Sequence, residues 1–427
     1  MGGRLLILIA WFSVIGTLTA AAYDYPVKNP YIATIAGTPT AYKADLKVAV
    51  PEKQKEIKII EGRQVPPIFW FQNRMKYSVA MQGHKAPLMF IIAAAGSSYN
   101  SPTTHILQRA FYKAGFHVIC LSSPTHPNFM VTASMTGVPG YVPDDARDLY
   151  RAMTRVWQEL DGRSDVSDFF LTGYSLGAVD AAFVANLDEE IKGFNFRKVL
   201  MINPPVSLYT SIMVLDRMLL DNLPGGIAGL NPFVDQVMTK FAGMYRGMEA
   251  LDFNNDVLYQ VFEEEKPDDR EMAALIGLSF RLVSANMMVT ADIMNNRGYL
   301  VPKNKVLSPT DPTTEYLKVG LRLSFSQFFD EFFFPFFQAR YPGMTKEALI
   351  ASDSIKSLDA YLRQTNKIGV MVNADDMILA PGDLEYLTGV FGNRVRIYPL
   401  GGHLGNIDYR ENVADMLAFF GVTETKQ

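Results

Sequence analysis

Phe169-Phe170-Leu171-Thr172-Gly173-Tyr174-Ser175-Leu176-Gly177-Ala178 is an apolar run that breaks into glycine, serine and glycine before a helix-forming segment. This pattern predicts a strand, a sharp turn and a helix, with the Ser175 hydroxyl pushed out above a sheet. Gly173 and Gly177 stand where a Cβ would collide with the neighbouring strand and helix. The Leu176 amide, at the helix start, would point toward the oxygen of a bound carbonyl. Five-residue patterns of this kind also arise by chance, so the rest of the chain must carry the reading.

The flanking sequence alternates between strand and helix. Pro87 to Ala95 is apolar on both faces, as a parallel strand buried under helices on each side would be. Leu107 to Ala114 has helical spacing and stops at Gly115, and Phe116 to Leu121 reads as the next buried strand. Asp144 and Asp145 open a helix running to Leu160, with acids at its positive end. After the serine turn come a helix to about Leu187 and a strand over Lys198 to Ile202. Upstream, Leu46 to Val50, Ile57 to Ile60, Pro66 to Phe71 and Tyr77 to Met81 read as early strands. Repeated alternation predicts an α/β fold with a doubly wound, mostly parallel sheet.

From about Tyr209 to Lys356 the alternation stops and methionine-rich helical patterns take over, over Ile212 to Leu220, Pro232 to Met248 and Glu271 to Met294. Phe325 to Phe337 holds eight phenylalanines on a spacing that fits one wide apolar helical face. Two readings stand: these rings pack the insertion onto the body, or they form a lid or acyl-chain site. Strand and helix return at Ile368 to Val372, followed by Asp375 and Asp376. Val395 to Tyr398 then leads into Gly401-Gly402-His403 and a final helix over Tyr409 to Phe420.

A serine that transfers acyl groups needs a base, an acid to orient the base, and donors for an oxyanion. Asp376 and His403 both follow strands, one helix and one strand apart. Asp376 is preferred to Asp375 because it holds the register before the apolar pair Met377-Ile378. Of the five histidines, only His403 follows the last strand in a glycine-rich loop.

On Gly173-Tyr174-Ser175-Leu176-Gly177, the Asp376 turn and Gly402-His403, the chain resembles the α/β-hydrolase superfamily, whose order is nucleophile, acid, histidine. The resemblance covers about Pro87 to Ile202 and Lys367 to Phe420, with the intervening block similar to the cap that the family inserts after its sixth strand. It implies catalytic Ser175, Asp376 and His403, and oxyanion donors in the Leu176 and Ser97 amides. Ser97 holds its place by position only, because Ala95-Gly96-Ser97 stands where the family usually has His-Gly and then the donor; the Ser98 amide is the fallback. The family's alternative acid position, after the strand ending at Ile202, offers Asn203-Pro204-Pro205 and no carboxylate.

The implied organisation is a signal peptide over 1–22, a hydrolase core over 23–208 and 357–427, and a helical cap or lid over 209–356. The expected activity is that of a serine esterase or lipase acting on an apolar or lipid-like acyl ester. A peptidase or acyltransferase would use the same triad, and a catalytically silent envelope binding or assembly protein would keep the fold. No cofactor and no metal are expected, because glycine-rich phosphate loops are absent from the sequence and its single cysteine and five histidines are scattered.

The basic start, apolar middle and Ala20-Ala21-Ala22 of the N-terminus predict cleavage after Ala22, with an uncleaved anchor as the alternative. A single cysteine excludes an intrachain disulfide and favours a bacterial periplasm or secretion from a bacterium. With 48% hydrophobic and 20% charged residues the chain can bury a core, and a net charge of −4 argues against a nucleic-acid partner. The expected partner is a small-molecule or lipid-like ester, with membrane-surface contact through the cap.

Overall fold

The computed structural model describes residues 23–161, 163–246, 259 and 262–422. The leader-like stretch 1–22 lies outside the described residues. Eight strands form one sheet: β1 (Lys53–Ile57), β2 (Met75–Ala80), β3 (Ala86–Ile92), β4 (His117–Leu121), β5 (Val166–Tyr174), β6 (Val199–Ile202), β7 (Ile368–Asn373) and β8 (Val395–Tyr398). Their spatial order is β1-β2-β4-β3-β5-β6-β7-β8. β2 runs antiparallel to both of its neighbours, and every pair from β4 to β8 is parallel.

The two-sided apolar strands explain the layering. In β3, Leu88, Phe90 and Ile92 join a core shared with helices Val142–Gln158 and Leu176–Ile191. Met89 and Ile91 point to the other face, toward helices Pro102–Lys113 and Arg410–Phe419. Side chains alternate along a strand, so both sets must be apolar for helices to cover both faces.

Two expected early strands do not form, and of Ile57 to Ile60 only Ile57 lies in a strand, at the end of β1. Leu46 to Val50 has no regular secondary structure and pairs with no described strand. Pro66 to Phe71 holds a 3-10 turn, Pro67–Phe69, because two successive prolines supply no amide hydrogens for a ladder.

Between β6 and β7 the described elements are helical. Helices Leu208–Leu220 and Asp269–Asn295 pack together around a buried ion pair of Arg281 with Asp216, whose second carboxylate oxygen accepts the Phe325 amide at 3.3 Å. Asp269–Asn295 is long and apolar enough to cross a membrane, and it is largely buried in this fold. The phenylalanine run is a helix that widens into a π turn over Phe329–Phe333, just before Pro335. A wider turn relieves the clash and the missing amide that a proline imposes on a regular helix. Phe325, Phe328, Phe329, Phe332, Phe333 and Phe337 are all buried, against Met287, Met288, Tyr141 and Met130.

Three carboxyl groups lie beneath this region with no cation among the described residues paired to them. The Asp145 carboxylate accepts the Gly140 amide at 2.7 Å, and that of Asp353 accepts the Val142 amide at 2.9 Å. Both oxygens of Asp180 are buried without a hydrogen-bond partner. Burial, aided for Asp145 and Asp353 by repulsion from Asp180 and other neighbouring carboxylates, holds all three well above the ordinary value of 3.8. The folded chain therefore keeps protons that the unfolded chain releases. This stability is whole below about pH 4 and is lost as pH rises toward the folded values, by about 1.4 kcal/mol per pH unit for each proton retained. Asp180→Asn removes one such proton. Its melting temperature should match the wild type near about pH 4 and exceed it by about 3 °C or more at about pH 8, as thermal denaturation across pH would show.

Candidate active site

The serine turn is built by close backbone approach. A Cβ on Gly173 would lie 1.9 Å from the Gly177 carbonyl oxygen, and one on Gly177 would lie 2.3 Å from that of Ile92 in β3. With both residues reduced to glycine, the chain reverses within a few residues and Ser175 takes φ 52°, ψ −122°, a conformation that costs energy for any side chain. Helix Leu176–Ile191 starts at once, leaving its first amides without intrahelical partners.

The structure brings Ser175, His403 and Asp376 into one hydrogen-bonded line. Ser175 Oγ lies 2.9 Å from His403 Nε2, and His403 Nδ1 lies 2.9 Å from Asp376 Oδ2. A carboxylate can only accept, so Nδ1 carries the proton and Nε2 is left free to receive one from the serine. The Asp376 side chain is wholly buried and that of His403 is 16% exposed. Asp376 Oδ2 also accepts from Asn203 Nδ2 at 2.9 Å, and Oδ1 accepts the Ile378 amide at 3.2 Å. Asn203 occupies the post-β6 position that lacks a carboxylate. It sits at φ 46°, which asparagine tolerates better than most residues, and its role is visible only once β6 and β7 are side by side.

Asp375 does different work. Its carboxylate accepts the Gly401 and Gly402 amides at 3.1 and 2.8 Å, which holds the turn before His403, and burial raises its pKa. The remaining histidines lie outside the hydrogen-bonded line. His117 is buried with both ring nitrogens engaged, by the Gln82 amide and the Asp165 carbonyl. His126 caps helix Pro127–Thr132, and burial pushes its pKa down to about 4. His84 is exposed and His105 faces Glu52.

The Ser97 amide, expected to face the serine, is engaged within its own loop. The Ser97 amide donates to the Ala94 carbonyl at 2.9 Å in a tight turn, so it is already committed, and neither Ser97 nor Ser98 lines the cavity. Ala94, Ala95 and Leu176 do. Gly96 turns the loop at φ 68°, and its amide donates to Thr125 Oγ1 at 2.8 Å, so it too is committed, while Ala94 and Ala95 stay at the cavity wall. The turn closes one residue earlier than the positional match implies.

A segment outside the sheet clamps the histidine loop. The His403 amide donates to Thr34 Oγ1 at 2.8 Å, and Thr34 Oγ1 donates to the Pro30 carbonyl at 2.7 Å. Tyr25 Oη and Thr38 Oγ1 both donate to the Gly405 carbonyl, at 2.8 and 3.0 Å. Gly402 and Gly405 let helix Pro30–Ala36 approach: Cβ atoms there would lie 2.3 and 2.1 Å from the Pro30 and Ala33 carbonyl oxygens.

Above the serine is a cavity of about 300 Å³, lined by Ser175, Leu176, Thr125 and His403 on the body and by Ile212, Val283, Met287 and Phe329 from the helical insertion. The phenylalanine helix therefore packs the insertion and also walls the cavity. Among the described residues no group of acidic, histidine or cysteine side chains is placed to hold a metal ion. The line of groups can pass a proton from a hydroxyl to an imidazole beside an apolar chamber.

Thr34→Val removes the acceptor for the His403 amide and is expected to lower the turnover of Ser175 chemistry about tenfold, consistent with losing roughly one hydrogen bond's worth of positioning. The loss should fall on kcat with KM little changed, and Thr34→Ser should restore it. Steady-state kinetics of the three proteins would check this.

No family model and no curated sequence matches the chain. Solved structures do. An esterase of Pyrococcus furiosus aligns at 10% identity over 88% of this chain and 91% of its own, with a TM-score of 0.43. A Mycobacterium tuberculosis protein aligns at 14% identity over 87% of this chain and 100% of its own, with a TM-score of 0.40. A bacterial membrane phospholipase A aligns at 14% identity over 87% of this chain and 86% of its own, with a TM-score of 0.40. The strand order, with only β2 reversed, and the serine, acid and histidine after β5, β7 and β8 are those of the α/β-hydrolase fold, and this chain has that fold.

Proposed function

We propose that the chain is a serine hydrolase that cleaves an ester with an apolar or lipid-like acyl group through a covalent acyl-enzyme. The observation that carries this reading is the continuous hydrogen-bonded line from Ser175 through His403 to Asp376 at the base of an apolar cavity. His403 Nε2 takes the hydroxyl proton as Ser175 Oγ attacks the ester carbonyl. The Leu176 and Ala95 amides stabilise the oxyanion, and Asp376 stabilises the imidazolium. The protonated Nε2 then donates to the departing alkoxide. Water repeats the sequence, giving its proton to His403 and releasing the acid and free Ser175.

Phenylalanine, methionine and leucine walls favour an apolar acyl chain, because burying each methylene contributes about 0.8 kcal/mol. Helices of 209–356 serve as the cap over this chamber. The leader-like residues 1–22 support export from a bacterial cytoplasm.

A fluorophosphonate probe tests the chemistry directly. The wild type should label, Ser175→Ala should not, and His403→Ala should label at least about 1000-fold more slowly. Asp376→Asn should lower turnover by about 10⁴ while the protein stays folded, since the imidazole loses its orienting acceptor. Absence of labelling in a folded wild-type chain would overturn the reading. Nitrophenyl esters of increasing acyl length, run beside amide and thioester analogues, should show kcat/KM rising with chain length and highest for the ester.

A further inference from the structure

We propose that the Trp70–Phe71 tip, together with the loop carrying Lys303, Lys305 and Val306, docks this protein on an anionic lipid surface. Pro66 and Pro67 stiffen the approach to the tip, and the 3-10 turn Pro67–Phe69 buries Ile68 and Phe69 against Val131, Val301 and Leu307. The same turn aims the next two side chains outward. Trp70 is 63% exposed and Phe71 is 54% exposed, with their rings edge to face at 6.0 Å. Two adjacent aromatic rings standing in water on an anchored base are already ordered, so inserting them costs little further conformational entropy.

The apolar surface continues onto the helical insertion. Pro66 and Pro67 share the walls of a cavity of about 240 Å³ with Lys305 and Val306, and Val306 is 74% exposed. The same two segments carry the exposed cations Arg74, Lys303 and Lys305, the last donating to Tyr316 Oη at 2.7 Å. Of the acids on these segments, Glu61 pairs with Lys58, while Asp311 accepts the Ser308 amide and faces Lys305. A basic, aromatic patch on a chain of net charge −4 points to an anionic partner. Tryptophan and phenylalanine ringed by lysine match the boundary between headgroups and acyl chains, where the rings bury and the cations meet lipid phosphates.

Placement gives the patch a use. Ile57 pairs with Met75, and Tyr77 pairs with Leu121 at the carboxyl end of β4, so the β1–β2 connection projects from the sheet edge that also carries Ser175. Helix Asp269–Asn295 joins the two places, with Val283 and Met287 in the wall above Ser175 and Ile293 and Met294 under the tip. From Met287 to Ile293 is about 9 Å along a helix axis. Docking by this tip would hold the acyl chamber close to a bilayer. Only this last consequence rests on the hydrolase reading; the docking does not.

The test reads insertion at the tip itself. Cys120 is the only cysteine, and it is fully buried with its thiol pushed up to about 12, so a thiol-reactive, polarity-sensitive dye on Phe71→Cys reports this position alone. A matching dye on Glu190→Cys, exposed near the end of helix Leu176–Ile191, is the control. With phosphatidylglycerol vesicles the Phe71→Cys dye should shift to the blue and the control should not. Adding Lys303→Gln and Lys305→Gln should raise the lipid needed about tenfold. No shift at the tip, an equal shift at the control, or an equal response to pure phosphatidylcholine would each overturn the proposal. A shift produced by raising protein concentration without lipid would also overturn it, in favour of contact between copies of the chain. Ser175→Ala in the same background should leave the dye response unchanged, so the docking and hydrolase readings can fail separately.

Discussion

The backbone contact between Gly173 and the start of helix Leu176–Ile191 is the constraint on which the rest depends. Two positions without a Cβ let strand β5, the helix and β3 approach to distances that any side chain would forbid. That approach forces Ser175 into a strained conformation and fixes its Oγ above the sheet. The cost is carried by a core of parallel strands apolar on both faces, where β3, β4, β5 and β6 have few ways to rearrange.

Around that fixed serine, the other groups are held by unrelated devices. Asp376 is pinned by amide and asparagine donors between β6 and β7. His403 hangs on a glycine turn that Asp375 grips from inside and the N-terminal helix Pro30–Ala36 grips from outside. The imidazole is thereby the member of the line that depends on the most distant parts of the chain, and the one whose geometry a surface change near residues 25–38 would disturb. The helical insertion closes the site from above, and the buried Arg281–Asp216 pair ties its helices to the phenylalanine helix.

The uncompensated carboxyls of Asp145, Asp180 and Asp353 are the opposite kind of feature. They lie under the cavity wall in a place where an apolar residue would pack at lower cost, and they make the fold's stability fall as pH rises. Asp353 reaches the cavity itself, so the chamber is apolar with one acidic group in its wall.

Much of this was legible in the sequence, for physical reasons that differ by element. Two-sided apolar strands announce a parallel sheet because burial on both faces leaves no other composition, and the glycine-serine-glycine turn announces itself because only glycine survives those contacts. The order of Ser175, Asp376 and His403 followed from strand ends. By contrast, the Ser97 expectation failed because a loop amide's availability depends on one turn hydrogen bond that spacing does not encode. Pro66 to Phe71 read as a strand by composition, yet two prolines set a turn that buries Phe69 and leaves Trp70 and Phe71 in solvent. Asn203 and Thr34 looked like ordinary polar residues and Asp375 like a second candidate acid, since their partners lie across strands or up to hundreds of positions away. The sequence by itself determined the sheet, the nucleophile turn and the strand-end chemistry, which depend on local periodicity and steric exclusion. Only the tertiary structure decided which amide faces the serine, what clamps the histidine and what walls the pocket, because those depend on which distant surfaces meet.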